Sequence, residues 1–198
     1  MEYIAHRINT LAELRALPTE YGVELDLRDN LDGTIYIQHN PFEIGEDFEE
    51  YLKAYHHGTM ILNVKSERIE LKILDLMKKY GVSDYFFLDS SFPMIYLLSK
   101  QGESRIALRV SELEGIDTAR NMAGKVSWIW VDCFTKIPIG RKEYNELKKL
   151  GYKLCFVSPE LEGRDEDIEA YKKILETEGM EMDAICTKIY NMDRWKKS

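Results

Sequence analysis

Two carboxylates stand two residues apart in Val23-Glu24-Leu25-Asp26-Leu27-Arg28, where apolar and charged residues alternate strictly. In a β-strand this alternation puts Glu24, Asp26 and Arg28 on one face and the apolar residues on the other. Adjacent carboxylates repel unless a cation neutralises them, and a hard divalent ion with oxygen ligands, Mg²⁺ or Ca²⁺, suits that place. A buried ion-pair cluster with Arg7, Arg28 or Lys65 would neutralise them too. His6 and His39 each close a strand-like run. With unperturbed pKa values near ~6.5, two such imidazoles suit proton exchange at neutral pH. His56 and His57 follow a polar helical stretch and are expected at the surface.

Short β-rich runs alternate with helical stretches along the whole chain. Strands are expected at 3–6, 22–28, 34–39, 59–65, 85–89, 105–110, 127–132, 153–158 and 183–187. Helices are expected at 10–17, 45–55, 67–80, 92–101, 115–123, 141–150, 165–178 and 191–197. Within 67–80, Ile69, Ile73, Leu76 and Met77 form an apolar stripe while Lys72, Asp75 and Lys79 face away. Ser66 with Glu67 and Ser91 with Pro93 read as helix starts, and Gly81, Gly102, Gly151 and Gly179 follow helical runs as C-caps. Tyr85-Phe86-Phe87-Leu88, Ile129-Trp130-Val131 and Leu154-Cys155-Phe156-Val157 are almost wholly apolar. Strands of a parallel sheet buried on both faces read this way. The expected architecture is a small (β/α)8 barrel, with 22–28 and 34–39 forming a near-hairpin. An open doubly wound sheet fits less well, because no glycine-rich phosphate loop follows the first strand. Polar residues cluster where strands end, among them Asn63, Lys65, Asp89, Arg109, Asp132 and Lys188. In such a barrel that end carries the active site.

An ordered set of motifs then becomes visible. Ile4-Ala5-His6-Arg7, Glu24-Leu25-Asp26, Asp32-Gly33, His39-Asn40-Pro41, Asn63-Val64-Lys65, Ser90-Ser91-Phe92-Pro93 and the closing Asp183-Ala184-Ile185-Cys186-Thr187 follow one another along the chain. Together they resemble the glycerophosphodiester phosphodiesterase family, clearly over residues 3–93 and the last strand. The resemblance implies a metal-dependent phosphodiesterase barrel. His6 and His39 would be the acid–base pair, Glu24, Asp26 and Asn63 the metal ligands, and Arg7 and Lys65 the phosphate-binding cations. The chain also departs from the family pattern. Ile8 replaces a glycine, the first loop is shortened to Asn9-Thr10, and Asn40 stands where aspartate is usual. Asn63 occupies the place of a third acidic ligand, and Phe156-Val157-Ser158-Pro159 lacks the usual tryptophan-containing strand motif.

Composition limits the remaining possibilities. The chain has 198 residues with net charge −8, and residues 20–50 hold ten carboxylates against one arginine. Such a field repels nucleic-acid backbones, so no nucleic-acid partner is expected. Glu46, Asp47, Glu49 and Glu50 are expected on a solvated helix. Cys133, Cys155 and Cys186 lack metal-type spacing and read as reduced core residues. Trp128 and Trp130 are expected in the core. No apolar run spans a bilayer and no leader segment is evident, so a cytoplasmic single domain over 1–198 is expected. No amphipathic basic or aromatic segment offers membrane attachment, which favours a small soluble phosphodiester as substrate. Two alternatives stand beside hydrolysis: a barrel that binds a phosphate ester without turnover, and Schiff-base chemistry at Lys65.

Overall fold

The computed structural model describes residues 1–196. Eight parallel strands form the barrel: β1 (Glu2–Ala5), β2 (Gly22–Asp29), β5 (Met60–Val64), β6 (Tyr85–Leu88), β7 (Ala107–Val110), β8 (Trp128–Val131), β9 (Lys153–Val157) and β10 (Ala184–Thr187). β1 pairs with both β2 and β10, and parallel pairing runs from β2 through β5 to β6 and from β7 through β9 to β10. Between β6 and β7 a single parallel bridge, Phe87 to Ile106, carries the ring around. Each barrel strand precedes one helix: α1 (Leu11–Ala16), α2 (Phe48–Lys53), α3 (Glu70–Tyr80), α4 (Phe92–Lys100), α5 (Asp117–Met122), α6 (Arg141–Lys149), α7 (Ile168–Thr177) and α8 (Met192–Trp195).

Strand alternation splits the core in two. Val23, Leu25 and Leu27 of β2 and Met60, Leu62 and Val64 of β5 point outward and pack under the helices. Ile4, Ile61, Phe86, Trp128, Cys155 and Cys186 fill the barrel interior. The Trp128 ring stacks on Phe86 with centroids 4.4 Å apart. Trp128 and Trp130 lie in this inner core, and all three cysteines are free and buried. In α3 the stripe of Ile69, Ile73, Leu76 and Met77 is buried, and Gly81 ends the helix in the left-handed conformation with φ 69°.

The largest departure from expectation lies at 34–55. Beyond its barrel portion, β2 pairs antiparallel with β3 (Ile35–Ile37), which pairs in turn with β4 (Glu46–Asp47). The helix expected from residue 45 therefore starts at Phe48. Asp47 instead caps it, accepting from the Glu50 backbone N–H at 2.9 Å. Gly45 permits the tight return, since a Cβ there would lie 2.2 Å from the Ile37 carbonyl oxygen. Ser66 and Glu67 precede α3 rather than cap it, whereas Ser91 is the N-cap of α4. Residue 197 of the expected final helix, and residues 197–198 of the expected domain, lie outside the described residues.

Candidate active site

The inward face of β2 carries Glu24 and Asp26 into the upper barrel, both fully buried. Burial and the neighbouring Asp26 charge raise the Glu24 pKa. Its Oε2 accepts the Arg7 backbone N–H at 2.8 Å, and its Oε1 accepts Asn63 Nδ2 at 2.7 Å. Asp26 and Asn63 are register partners across β2 and β5. Asn9 forms a two-way amide clamp on Asp26: its Nδ2 donates to Oδ2 at 2.9 Å, and its Oδ1 accepts the Asp26 N–H at 3.0 Å. Asp26 Oδ1, which has the Lys65 ammonium 3.7 Å away, and Asn63 Oδ1 remain buried without a hydrogen-bond partner. Unsatisfied buried acceptors are costly and few in native proteins, so two on facing residues call for a ligand. Their chemistry, hard oxygens beside two carboxylates, fits a divalent cation. Among the described residues no three His, Cys, Asp or Glu side chains form a metal cluster. With Asn63 as the third residue, this candidate set holds two carboxylates rather than three.

Around the mouth, charges of alternating sign run through six consecutive barrel positions. Arg7 follows β1 and lies with Nε 3.7 Å from Asp26; Lys65 follows β5 with Nζ 3.7 Å from Asp26 and 3.2 Å from Asp89. Arg109 on β7 then bridges Asp89, after β6, and Asp132, after β8. Arg7 and Asp89 both hold left-handed backbone conformations, φ 56° and 59°. Non-glycine residues reach that region at a cost, and such residues concentrate at functional sites. Lys188, after β10, joins the same cavity of about 210 Å³, whose floor includes Trp130.

His6 lines this cavity with Nε2 3.6 Å from Glu24 Oε2, and its Nδ1 is buried without a partner. Burial, then the charges of Lys188, Arg7, Lys65 and His39, push its pKa down to about 3. The imidazole is therefore neutral at pH 7. His39 is half-buried beyond β3, its Nδ1 3.0 Å from Asn40 Oδ1, and it stands outside the cavity lining. His56 is exposed. His57, expected at the surface, is half-buried with Nε2 3.0 Å from the Leu17 carbonyl.

Of the residues read from sequence, His6, Arg7, Glu24, Asn63 and Lys65 line one cavity, and Asp26 lies directly behind it. Arg28 leaves the carboxylates: its Nη1 donates to the Lys65 carbonyl at 2.9 Å, and its Nε and Nη2 to the His39 carbonyl at 3.1 and 2.7 Å. Asp32 is at an exposed turn, accepting the Thr34 N–H at 2.9 Å. Neither Asn9 nor Lys188 carries a role in the sequence motifs. Lys188 was signalled only as polarity after the last strand. Glu160 positions it by accepting the Lys188 backbone N–H at 2.9 Å and the hydroxyls of Ser158 and Thr187.

Neither a family model nor a curated protein sequence matches the chain. Solved structures do. A glycerophosphodiester phosphodiesterase from Agrobacterium tumefaciens aligns over 94% of this chain and 96% of its own, with TM-score 0.65 and 17% identity. One from Parabacteroides distasonis aligns over 95% and 92%, with TM-score 0.66 and 14% identity. One from Thermotoga maritima aligns over 93% and 93%, with TM-score 0.60 and 15% identity. The chain has the barrel fold of these glycerophosphodiester phosphodiesterases, so the likeness first read over residues 3–93 extends in fold to nearly the whole chain.

Proposed function

We propose that the chain is a divalent-cation-dependent phosphodiester hydrolase, with Glu24, Asp26 and Asn63 holding the cation at the barrel mouth. One observation carries the reading. A single small cavity gathers a neutral histidine, cationic heads, Glu24 and Asn63, with Asp26 directly behind it and two buried oxygens, Asp26 Oδ1 and Asn63 Oδ1, without a hydrogen bond. When bound, Mg²⁺ or Ca²⁺ would polarise a phosphoryl oxygen and acidify a nearby hydroxyl. Arg7 and Lys65, with Lys188, hold the non-bridging oxygens and offset the negative charge that grows on them as phosphorus is attacked. His6 takes the proton of the attacking hydroxyl, and His39 supplies one to the departing alkoxide; the two exchange roles when the direction reverses. Glu24 orients His6 and stabilises the positive charge it acquires. Burial first, then the surrounding cations, hold the resting pKa of His6 low, and an incoming phosphate would offset the second of these.

Binding without turnover is favoured by one feature: Asp26 is already shared between Arg7 and Lys65, and the Asn63 amide already satisfies one Glu24 oxygen. Turnover of a generic aryl phosphodiester, with Mg²⁺, with Ca²⁺ and with chelator, separates the two. Cation-dependent release of the aryl alcohol is the expected result. Stoichiometric binding of the diester without release would establish the second reading.

A further inference from the structure

Behind the mouth lies a buried polar cluster that the proposed chemistry leaves unused. Glu160 stands in the short turn Pro159–Glu162 that follows β9, with 7% of its surface exposed. Three donors hold it, and no lysine, arginine or histidine pairs with it among the described residues. The Ser158 hydroxyl donates to Oε2, while the Thr187 hydroxyl and, at 2.9 Å, the Lys188 backbone N–H donate to Oε1. The Ser158 oxygen in turn accepts the indole N–H of Trp195 at 2.8 Å. Ser158, Thr187 and Trp195 are buried too. The bonds share one direction, from indole to hydroxyl to carboxylate. Burying a carboxyl group away from any cation is costly, and packed apolar side chains of similar volume often serve stability as well or better. What an apolar core could not do is grip the backbone where these strands end.

Those strand ends build one side of the mouth. Ser158, the first residue after β9, donates its N–H to the Cys186 carbonyl at 3.0 Å, and the Thr187 carbonyl accepts the His6 N–H at 2.9 Å. Leu161 and Glu162, from the same turn as Glu160, line the mouth cavity with Lys188. Lys188 differs from the other cations there. Arg7, Lys65 and Arg109 each pair with a carboxylate, whereas Lys188 pairs with none among the described residues. Its ammonium is open to an anion, and its backbone N–H is fastened by Glu160. Neither Glu160, Ser158 nor Trp195 lines the cavity. We propose that these three are positioning residues: through them α8, which packs outside the strands, sets where Lys188 meets the phosphate. The proposal rests on the phosphodiesterase reading, which supplies the phosphate, and adds residues that act on it without touching it.

The test reads affinity for inorganic phosphate, by calorimetry on the full chain with Mg²⁺ present, in double-mutant cycles. Lys188→Ala is expected to weaken binding roughly tenfold or more, as for a lost hydrogen bond to a charged group. Glu160→Ala and Ser158→Ala should each weaken it several-fold. In the Lys188→Ala background the same two substitutions should change it by less than about twofold, because residues acting through one partner do not add. Glu160→Gln keeps an acceptor for the Lys188 N–H and should recover most of the affinity. Thermal melts follow stability separately, and Ser158→Ala carries the cycle if Glu160→Ala does not fold. Phosphate affinity that neither substitution alters, or losses undiminished in the absence of Lys188, would overturn the proposal. Turnover of an aryl phosphodiester by the wild type alongside such additive losses leaves the hydrolase reading standing. Coupled losses in a protein that turns over no diester sink that reading alone and keep the positioning role.

Discussion

Replacing Asn63 by Asp removes the amide N–H that Glu24 accepts and adds a third carboxylate to a buried pair. In cation-free buffer Asn63→Asp should therefore lose roughly 1–3 kcal/mol, several degrees in Tm. Mg²⁺ or Ca²⁺ should restore it and bind more tightly than to the wild type, because charge count tunes affinity in oxygen-ligand sites. Asp26→Asn should weaken cation binding. Calorimetry and thermal melts check all three proteins; unchanged cation affinity in both variants would remove the cation from this place. The histidines give a separate expectation. His6→Ala and His39→Ala should each lower turnover by roughly 10²–10⁴-fold, the range for a lost acid–base group, with His56→Ala near wild type in steady-state assays. At this scale the sequence was legible where alternation dictates direction, as with Glu24 and Asp26. Asn9 was not legible, because an amide in a short loop gives no sign that it will clamp Asp26 from 17 residues away.

Glu112 fastens the loop between β8 and α6. It accepts the Thr135 N–H and hydroxyl at 2.6 and 2.9 Å and the Lys136 N–H at 2.7 Å. Partial burial opposes its charge, but these donors outweigh that and hold its pKa at about 2. The folded value lies below the unfolded one, near ~4.3. The stabilisation is therefore complete above about pH 5 and is lost as pH falls towards 2. Urea unfolding should show wild type ahead of Glu112→Gln by about 1 kcal/mol at pH 7, after discounting for solvent screening, with the gap closing by pH 3. A gap independent of pH would remove charge from the explanation. Barrel strands were legible as elements because burial on both faces leaves continuous apolar runs, as in Tyr85–Leu88. β4 was not, because two residues, Glu46 and Asp47, become a strand only through the partner that β3 offers.

Closure of the barrel is what turns scattered strand-end polarity into a site. Asp89, Arg109 and Asp132 stand far apart in sequence, and only the ordering of β6, β7 and β8 around the ring makes them one chain of ion pairs running to Lys65. Truncating one partner inside such a network leaves a charge unpaired. Arg109→Ala should accordingly cost about 3 kcal/mol in denaturant unfolding, while Arg109→Lys recovers part of it; equal stability of Arg109→Ala and wild type would deny the network any structural role. Fold class follows from strand–helix alternation, but the meeting of Lys188 with His6 across the β10–β1 seam requires the ring to shut. The central claim is that phosphate and cation meet at this mouth. Anomalous diffraction from crystals soaked in Mn²⁺ and inorganic phosphate tests it most directly. A manganese peak is expected among Glu24, Asp26 and Asn63, with phosphate between it, His6 and Lys65. A Lys65 ammonium in that place with no manganese beside it, or a phosphate bound elsewhere, would contradict it.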